Sequence, residues 1–280
     1  MVLFFTLVSS ILVYFVYRAN RNTYEAVLNR VTVNVRQNDQ DVIRILHLSD
    51  LHLENLSISP DYLYNKLKDE HIDLIALTGD FLDRKKSIPK LVPYLNVFQQ
   101  LNPAYGIYAV FGNHDYVLRG QHFQTLKKTL EQHGCILLQN ETRTIFVDGK
   151  TVNIIGIDDF STKRSDLQKA YANVKDGLNL VLTHDPNIVL HMHDYHFDYL
   201  LSGHFHGGQI HWPKPYHLVK MGKLVRMNMI KGYHEIDGKP FYISEGLGQT
   251  GVNIRVGTKP EITIHTLSLM PLKQAKQHVS

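Results

Sequence analysis

Short apolar runs rich in β-branched residues alternate with segments of helical spacing along this chain, and few architectures accommodate that alternation. The runs fall at 43–48, 72–77, 106–111, 152–157, 178–182 and 199–201, with helical patterns after Pro60, Pro89 and Gly120. This order predicts an α/β fold whose sheets are largely buried by helices. Asp148-Gly149 and Asp237-Gly238 each separate two further runs and read as hairpin turns, so the sheets are expected to be mixed. No internal repeat and no second domain boundary is visible, which leaves one domain over 42–270. With 280 residues, 44% of them hydrophobic, a large core needs no covalent staples. The single cysteine, Cys135, can build neither a disulfide framework nor a thiolate metal cage, and reads as a small buried hydrophobe.

The two ends of the chain differ from its middle. Residues 1–17 carry no charged side chain and lie at the lower limit for crossing a bilayer, which makes a transmembrane anchor the leading reading. A cleaved signal peptide and a buried core helix are the alternatives. A signal peptide wants a basic start and a small-residue cleavage site, and neither is present. Arg18, Arg21 and Arg30 follow the apolar run, so the positive-inside bias places the downstream chain in the cytoplasm, on a single-pass protein of the cell membrane. Residues 18–41 are expected to form a tether leading into an edge strand patterned by Val31, Val33 and Val35, and 271–280 a polar tail. The net charge of +4 tolerates anionic lipid or phosphate ligands. No basic stripe interleaved with aromatics is present, so no nucleic-acid partner is expected.

Polar residues cluster where strands are predicted to end. The blocks are Asp50-Leu51-His52, Gly79-Asp80-Phe81-Leu82-Asp83, Gly112-Asn113-His114-Asp115, Thr183-His184 and Gly203-His204-Phe205-His206-Gly207-Gly208. In open α/β sheets ligands gather beyond the carboxyl ends of strands, so these groups should converge. Carboxylate and imidazole without thiolate suit Mn, Fe or Zn better than Ca. One ion needs fewer ligands than these blocks offer, and a carboxylate can bridge two, so a dinuclear site is the economical count. Gly79, Gly112 and Gly203 are expected where the backbone turns sharply off a strand.

In this order the blocks strongly resemble those of the calcineurin-like metallophosphoesterase superfamily, over residues 42–269. The block from Gly203 to Gln209 is similar to that of the bacterial membrane-associated branch, which includes enzymes cleaving UDP-diacylglucosamine pyrophosphate, although Phe205 stands where that branch usually has a small residue. The resemblance implies a four-layer α/β/β/α sandwich of two mixed β-sheets. It also implies that Asp50, His52 and His206 hold one divalent ion, that Asn113, His184 and His204 hold a second, and that Asp80 bridges them. His114 would stand beside the phosphoryl group as catalytic acid. The activity implied is hydrolysis of a phosphodiester or pyrophosphate, in a lipid or nucleotide-lipid substrate presented at the bacterial membrane. A phosphoprotein phosphatase is the second enzymatic reading: Gly79 to Arg84 resembles that branch, but Lys85 and Asp115 replace its usual Gly and Glu. A non-catalytic metal-binding scaffold is the rival from another class.

Other polar residues have plainer readings. Asp83 either orients a ligand imidazole or caps the next helix, and Asp115 is a helix N-terminal residue or a supporting acceptor. His47 reads as a core histidine, His191, His193 and His196 as a solvated helix end, and His211 stays open. Residues 212–232 mix cations, Trp212 and methionines. They are read either as an ordinary loop plus strand or as a lip on which Trp212, Met221, Met227 and Met229 meet acyl chains while Lys220, Lys223 and Arg226 meet phosphates.

Overall fold

The computed structural model describes residues 1–33 and 41–269. In chain order its elements begin with α1 (Val2–Arg21), β1 (Val27–Val33), β2 (Val42–Leu48), α2 (Pro60–Leu67), β3 (Leu74–Thr78), α3 (Ile88–Gln100), β4 (Ile107–Val110), α4 (Gln121–Gln132) and β5 (Cys135–Leu137). There follow β6 (Glu141–Val147), β7 (Lys150–Gly156), α5 (Leu167–Tyr171), β8 (Leu178–Leu182), β9 (Tyr199–Ser202), α6 (Lys223–Arg226), β10 (Gly232–Ile236), β11 (Lys239–Ile243) and β12 (Glu261–Ser268). The strands form two six-stranded sheets, ordered β1-β12-β2-β3-β4-β5 and β10-β11-β9-β8-β7-β6. Both are mixed: β12 runs antiparallel to β2 in the first, and the hairpins β6–β7 and β10–β11 flank parallel strands in the second. Those hairpins turn at Asp148-Gly149 and Asp237-Gly238, where all four residues have the positive φ that this turn requires.

Alternation along each strand divides the core into layers. On β2, Ile43 and Ile45 point inward with Leu74, Ala76 and Tyr108, against Leu178, Leu180 and Leu201 of the other sheet. Leu46 and Leu48 point outward and pack on Leu63, Leu91, Phe98 and Leu126 of α2, α3 and α4. On the far side, Val181, Leu200 and Phe241 pack under Ala170, Ile188 and Leu224. This is the expected four-layer sandwich. The parallel strands β2, β3, β4, β8 and β9 then deliver their carboxyl ends to one edge of it.

Two points differ from the sequence reading. β12 lacks a separate prediction, yet it is the strand between β1 and β2. The edge strand expected within 18–41 is present, Val27–Val33 pairing parallel with β12, but the tether ahead of it is short because α1 continues to Arg21. The end of α1 is also pinned. Arg255 N donates to the Ala19 carbonyl at 2.9 Å, and the Asn20 and Asn22 side chains donate to the Asn253 and Arg255 carbonyls at 2.7 and 3.0 Å. Val35 and the tail at 271–280 lie outside the described residues. Among the plainer readings, His47 is fully buried with Nε2 2.8 Å from Thr78 Oγ1, and Cys135 is buried with its thiol pushed up to about 12 by that burial.

The pairing of β1 generates a test. A chain beginning at Asn22 keeps the edge strand and should stay soluble without detergent, with a single cooperative melt. A chain beginning at Asp41 exposes the long edge of β12 and should aggregate or melt about 10 °C lower. Equal melting of the two, followed by circular dichroism, would show that β1 contributes nothing to the domain.

Candidate metal centre

The strand ends meet. Asp50 Oδ1 lies 3.2 Å from His206 Nε2, and His206 Nε2 lies 3.1 Å from His52 Nε2. On the other flank, Asp80 Oδ2 lies 3.1 Å from His184 Nε2, which is 3.2 Å from His204 Nδ1. His52 Nε2 approaches Asp80 Oδ2 to 3.5 Å and joins the two flanks. The Asp50, His52 and His206 group and the Asp80, His184 and His204 group each keep their donor atoms within 4.8 Å of one another, and His52, Asp80 and His114 form a third such group. Asn113 Oδ1 is buried with no hydrogen-bond partner, and Asn113 lines the same small cavity of about 130 Å³ as Asp80, His204 and His206. Imidazole nitrogens about 3 Å apart match the edge of a coordination polyhedron with metal–nitrogen distances near 2.1 Å. Together with the orphaned amide oxygen, this donor set fits divalent ions.

Electrostatics act unevenly on the donors: at His184 burial is outweighed by the Asp80 carboxylate, which raises the ring well above the usual histidine range. Burial drives His52 down to about 3 and lowers His204 as well, so both rings stay neutral with free lone pairs. Burial also opposes ionisation of Asp50 and Asp80, but the surrounding imidazoles, led by His206 and His184 respectively, outweigh it and hold both carboxyls well below the usual range. His184 Nδ1 donates to the Thr78 carbonyl at 2.8 Å, which fixes the tautomer and leaves Nε2 facing the cluster.

Backbone strain accompanies this geometry. Asp50, His52, Asp80, His204 and His206 all have φ between 41° and 76°. Non-glycine residues rarely adopt that region, and they persist there only when their surroundings over-determine them. Gly79, with φ of 87°, turns the chain as expected. Gly112 and Gly203 are needed for a different reason: a Cβ at Gly112 would collide with the Asp80 carboxylate, and one at Gly203 with Ser49 and the Asp50 carboxylate.

Asp115 is the brace. Its buried carboxylate accepts from the backbone N–H groups of Asp80, Phe81 and Gly112, each at 2.9 Å, and from Leu82 at 3.3 Å, and so ties the β3 and β4 loops together. Burial and the neighbouring Asp80 charge push this carboxyl up, while the Gly112 and Leu82 amides pull it back. Asp83 does not cap α3, whose N-cap is Ser87; its Oδ2 lies 3.8 Å from His114 Nδ1. Gln209 pins its glycine-rich block to the next loop, donating to the Thr250 and Val252 carbonyls and accepting from Thr250 N, each at 3.0 Å.

Arg255 carried no sequence signal, being one cation in an ordinary loop. Its fully buried guanidinium donates to the carbonyls of His206, Glu245, Lys259, Gly246 and Gly248, at 2.7 to 3.3 Å. His217, at the cavity mouth, was likewise missed. The lip at 212–232 folds as the short helical turns Tyr216–Lys220 and Lys223–Arg226 rather than loop plus strand. Met221 and Met229 pack on the core, whereas Trp212, Tyr216, Val219 and Met227 are exposed. His191 stacks on Phe160, while His193 and His196 face Asp237 and Asp198. His211 Nδ1 donates to the Gly207 carbonyl.

Two packed mixed sheets that gather aspartates, histidines and an asparagine at their strand ends describe a metal-dependent hydrolase of phosphoric esters. The family model for calcineurin-like phosphoesterases matches residues 43–208, and the chain belongs to that family. It is 64% identical over 257 residues to the uncharacterized metallophosphoesterase YkoQ of Bacillus subtilis, covering 90% of this chain and 94% of that one. It is 26% identical over 279 residues to the UDP-2,3-diacylglucosamine pyrophosphatase LpxG of Chlamydia trachomatis, covering 79% of this chain and 82% of that one. Among solved structures, the phosphopantetheinyl hydrolase PptH of Mycobacterium tuberculosis aligns over 74% of this chain and 90% of its own, with 12% identity and a TM-score of 0.47.

Replacing Asp115 with Ala strands four backbone donors in a buried loop junction. Urea denaturation of the chelated protein should then show a loss of about 3 kcal/mol or more, with a smaller loss for Asp115→Asn. A change under about 1 kcal/mol for the Ala variant would show that the loops hold without the brace.

Proposed function

We propose that this protein is a membrane-anchored phosphoesterase using two divalent ions, of Mn, Fe or Zn type, to hydrolyse a phosphodiester or pyrophosphate in a lipid or nucleotide-lipid. Asp50, His52 and His206 hold one ion in this reading, Asn113, His184 and His204 the other, and Asp80 is shared. The observation that carries it is the continuous run of donor atoms from His206 through His52 and Asp80 to His204, beside a cavity of phosphoryl size. Ions bound there supply an activated water and neutralise charge on the phosphoryl oxygens. In this reading His114, its ring 4.7 Å from that of His52 and its Nδ1 3.8 Å from Asp83 Oδ2, donates a proton to the leaving oxygen.

Two features favour a substrate at the bilayer. Helix α1 is long and apolar enough to cross a membrane, and its apolar side chains are exposed. Its far end is bonded to the 253–255 segment, and Val256 pairs in turn with Gln209 and His211, next to exposed Trp212. The helix end, the His206 loop and the apolar lip are therefore linked without slack, which holds the site near the headgroups. Arg18 and Arg21 at that end favour a cytoplasmic domain. The similarity to LpxG, whose name gives a lipid-nucleotide pyrophosphate, points the same way.

Chelation should abolish hydrolysis of bis(4-nitrophenyl) phosphate, and Mn²⁺ should restore it. His114→Gln should lower kcat by about 100-fold with metal content unchanged, as expected for a proton donor; loss of a metal instead would make His114 a ligand. Replacing Trp212, Tyr216 and Met227 together with Ser should depress turnover of a bilayer-presented lipid phosphodiester at least about tenfold more than that of the soluble ester. Equal losses would remove the lip from the lipid assignment.

A further inference from the structure

The cavity at the metal centre does not end there. His204 and Met221 line both it and a wider groove of about 850 Å³. On the groove wall stand Lys163, Lys220 and Lys223, and among the described residues none of these ammonium groups has a carboxylate within ion-pair distance. Asp185 also lines the groove, but its Oδ1 already accepts from Asn187 N and Nδ2 at 2.9 and 2.7 Å. The apolar part of the wall is Phe160, whose ring stacks on His191 with centroids 5.0 Å apart, and Leu190.

This wall is built rather than draped. Asn187 is buried, donates to the Met221 carbonyl at 2.9 Å and accepts from Leu224 N at 3.2 Å, so the segment bearing Lys220 and Lys223 is fixed to the loop that follows His184. Gly222 packs directly on the Asn187 amide, where any Cβ would collide. The backbone that carries Lys220 and Lys223 is thereby fixed beside the site, while the three lysine side chains are exposed and extend from it.

We propose that this groove binds a second phosphoryl group, adjacent to the one attacked, together with the apolar or planar substituent it bears. The inference rests on the phosphoesterase reading above and deepens it: the substrate is a diphosphate diester, and the leaving half lies in the groove. In the hydrolysis a water oxygen forms the new bond to the attacked phosphorus and the bridging P–O bond breaks. Its electron pair stays on the second phosphate, which the lysines face, and the two protons of the water end on the products.

The test uses full-length protein with Mn²⁺ in detergent and three probes: UDP-glucose, CDP-diacylglycerol in mixed micelles, and bis(4-nitrophenyl) phosphate, which lacks a second phosphoryl group. Replacing Lys163, Lys220 and Lys223 together with Ala should lower kcat/KM on at least one diphosphate by about tenfold more than on the monophosphate diester. The corresponding Lys→Arg triple should recover most of that difference. Loss confined to UDP-glucose would assign the groove to a nucleotide, and loss confined to CDP-diacylglycerol to a lipid-linked diphosphate. Equal loss on all probes, or a wild-type protein that turns over the monophosphate diester and neither diphosphate, would overturn the inference. A wild-type protein that hydrolyses none of the probes contradicts the phosphoesterase reading instead. The groove is then judged by calorimetry of UDP on the chelated protein: binding weakened about tenfold by the Ala triple supports it, and unchanged or absent binding overturns it.

Discussion

One buried carboxylate holds the strand ends in register. Asp115 collects backbone N–H groups from the Asp80 loop and from Gly112, so two loops share a single acceptor. Asp80 and the groups bonded to it are positioned from that junction. His114 N donates to Asp80 Oδ1 at 2.8 Å, and His52 N donates to the Asp80 carbonyl at 3.0 Å. Such a network is expensive to leave half satisfied, which is why the loops can carry strained φ values without relaxing.

Arg255 plays the corresponding part on the other sheet. Its Nη1 and Nη2 groups donate to carbonyl oxygens while its buried Nε has no partner, and burial outweighs the attraction of Glu245, Asp50 and Glu261 and lowers its pKa to about 10. Its backbone meets the end of α1 while its side chain meets His206, so the apolar helix and the metal loop share one residue. Movement of the helix relative to the domain would therefore be felt at His206.

Much of this was legible in the sequence because it is written in periodicity and in residue chemistry. The Asp50, Asp80, Asn113, His184 and His204 blocks stood out because strand-end loops have no packing need for carboxylates and imidazoles, and the structure does bring them together. β12 was missed because its alternation, with Glu261, Thr263 and His265 buried on one face, looks polar and therefore exposed. Asp115 was half read: its supporting part was foreseen, but not that it binds two loops at once, since backbone partners leave no trace in sequence. Arg255 and Lys163 were invisible for a related reason, because a lone cation in a loop acquires meaning only from what the fold sets against it. The glycines were seen for their freedom to turn, whereas Gly112 and Gly203 are required by the space that two carboxylates occupy.

The central claim is that the Asp80 carboxylate is shared by a close pair of ions. Low-temperature electron paramagnetic resonance of the Mn²⁺-saturated protein tests it most directly, because ions roughly 3.5 to 4 Å apart and joined by a bridge are exchange coupled. The account predicts two Mn²⁺ per chain with a coupled spectrum in the wild-type protein, lost in Asp80→Asn. A single six-line signal from one isolated Mn²⁺ at saturation, unchanged by that substitution, would contradict it.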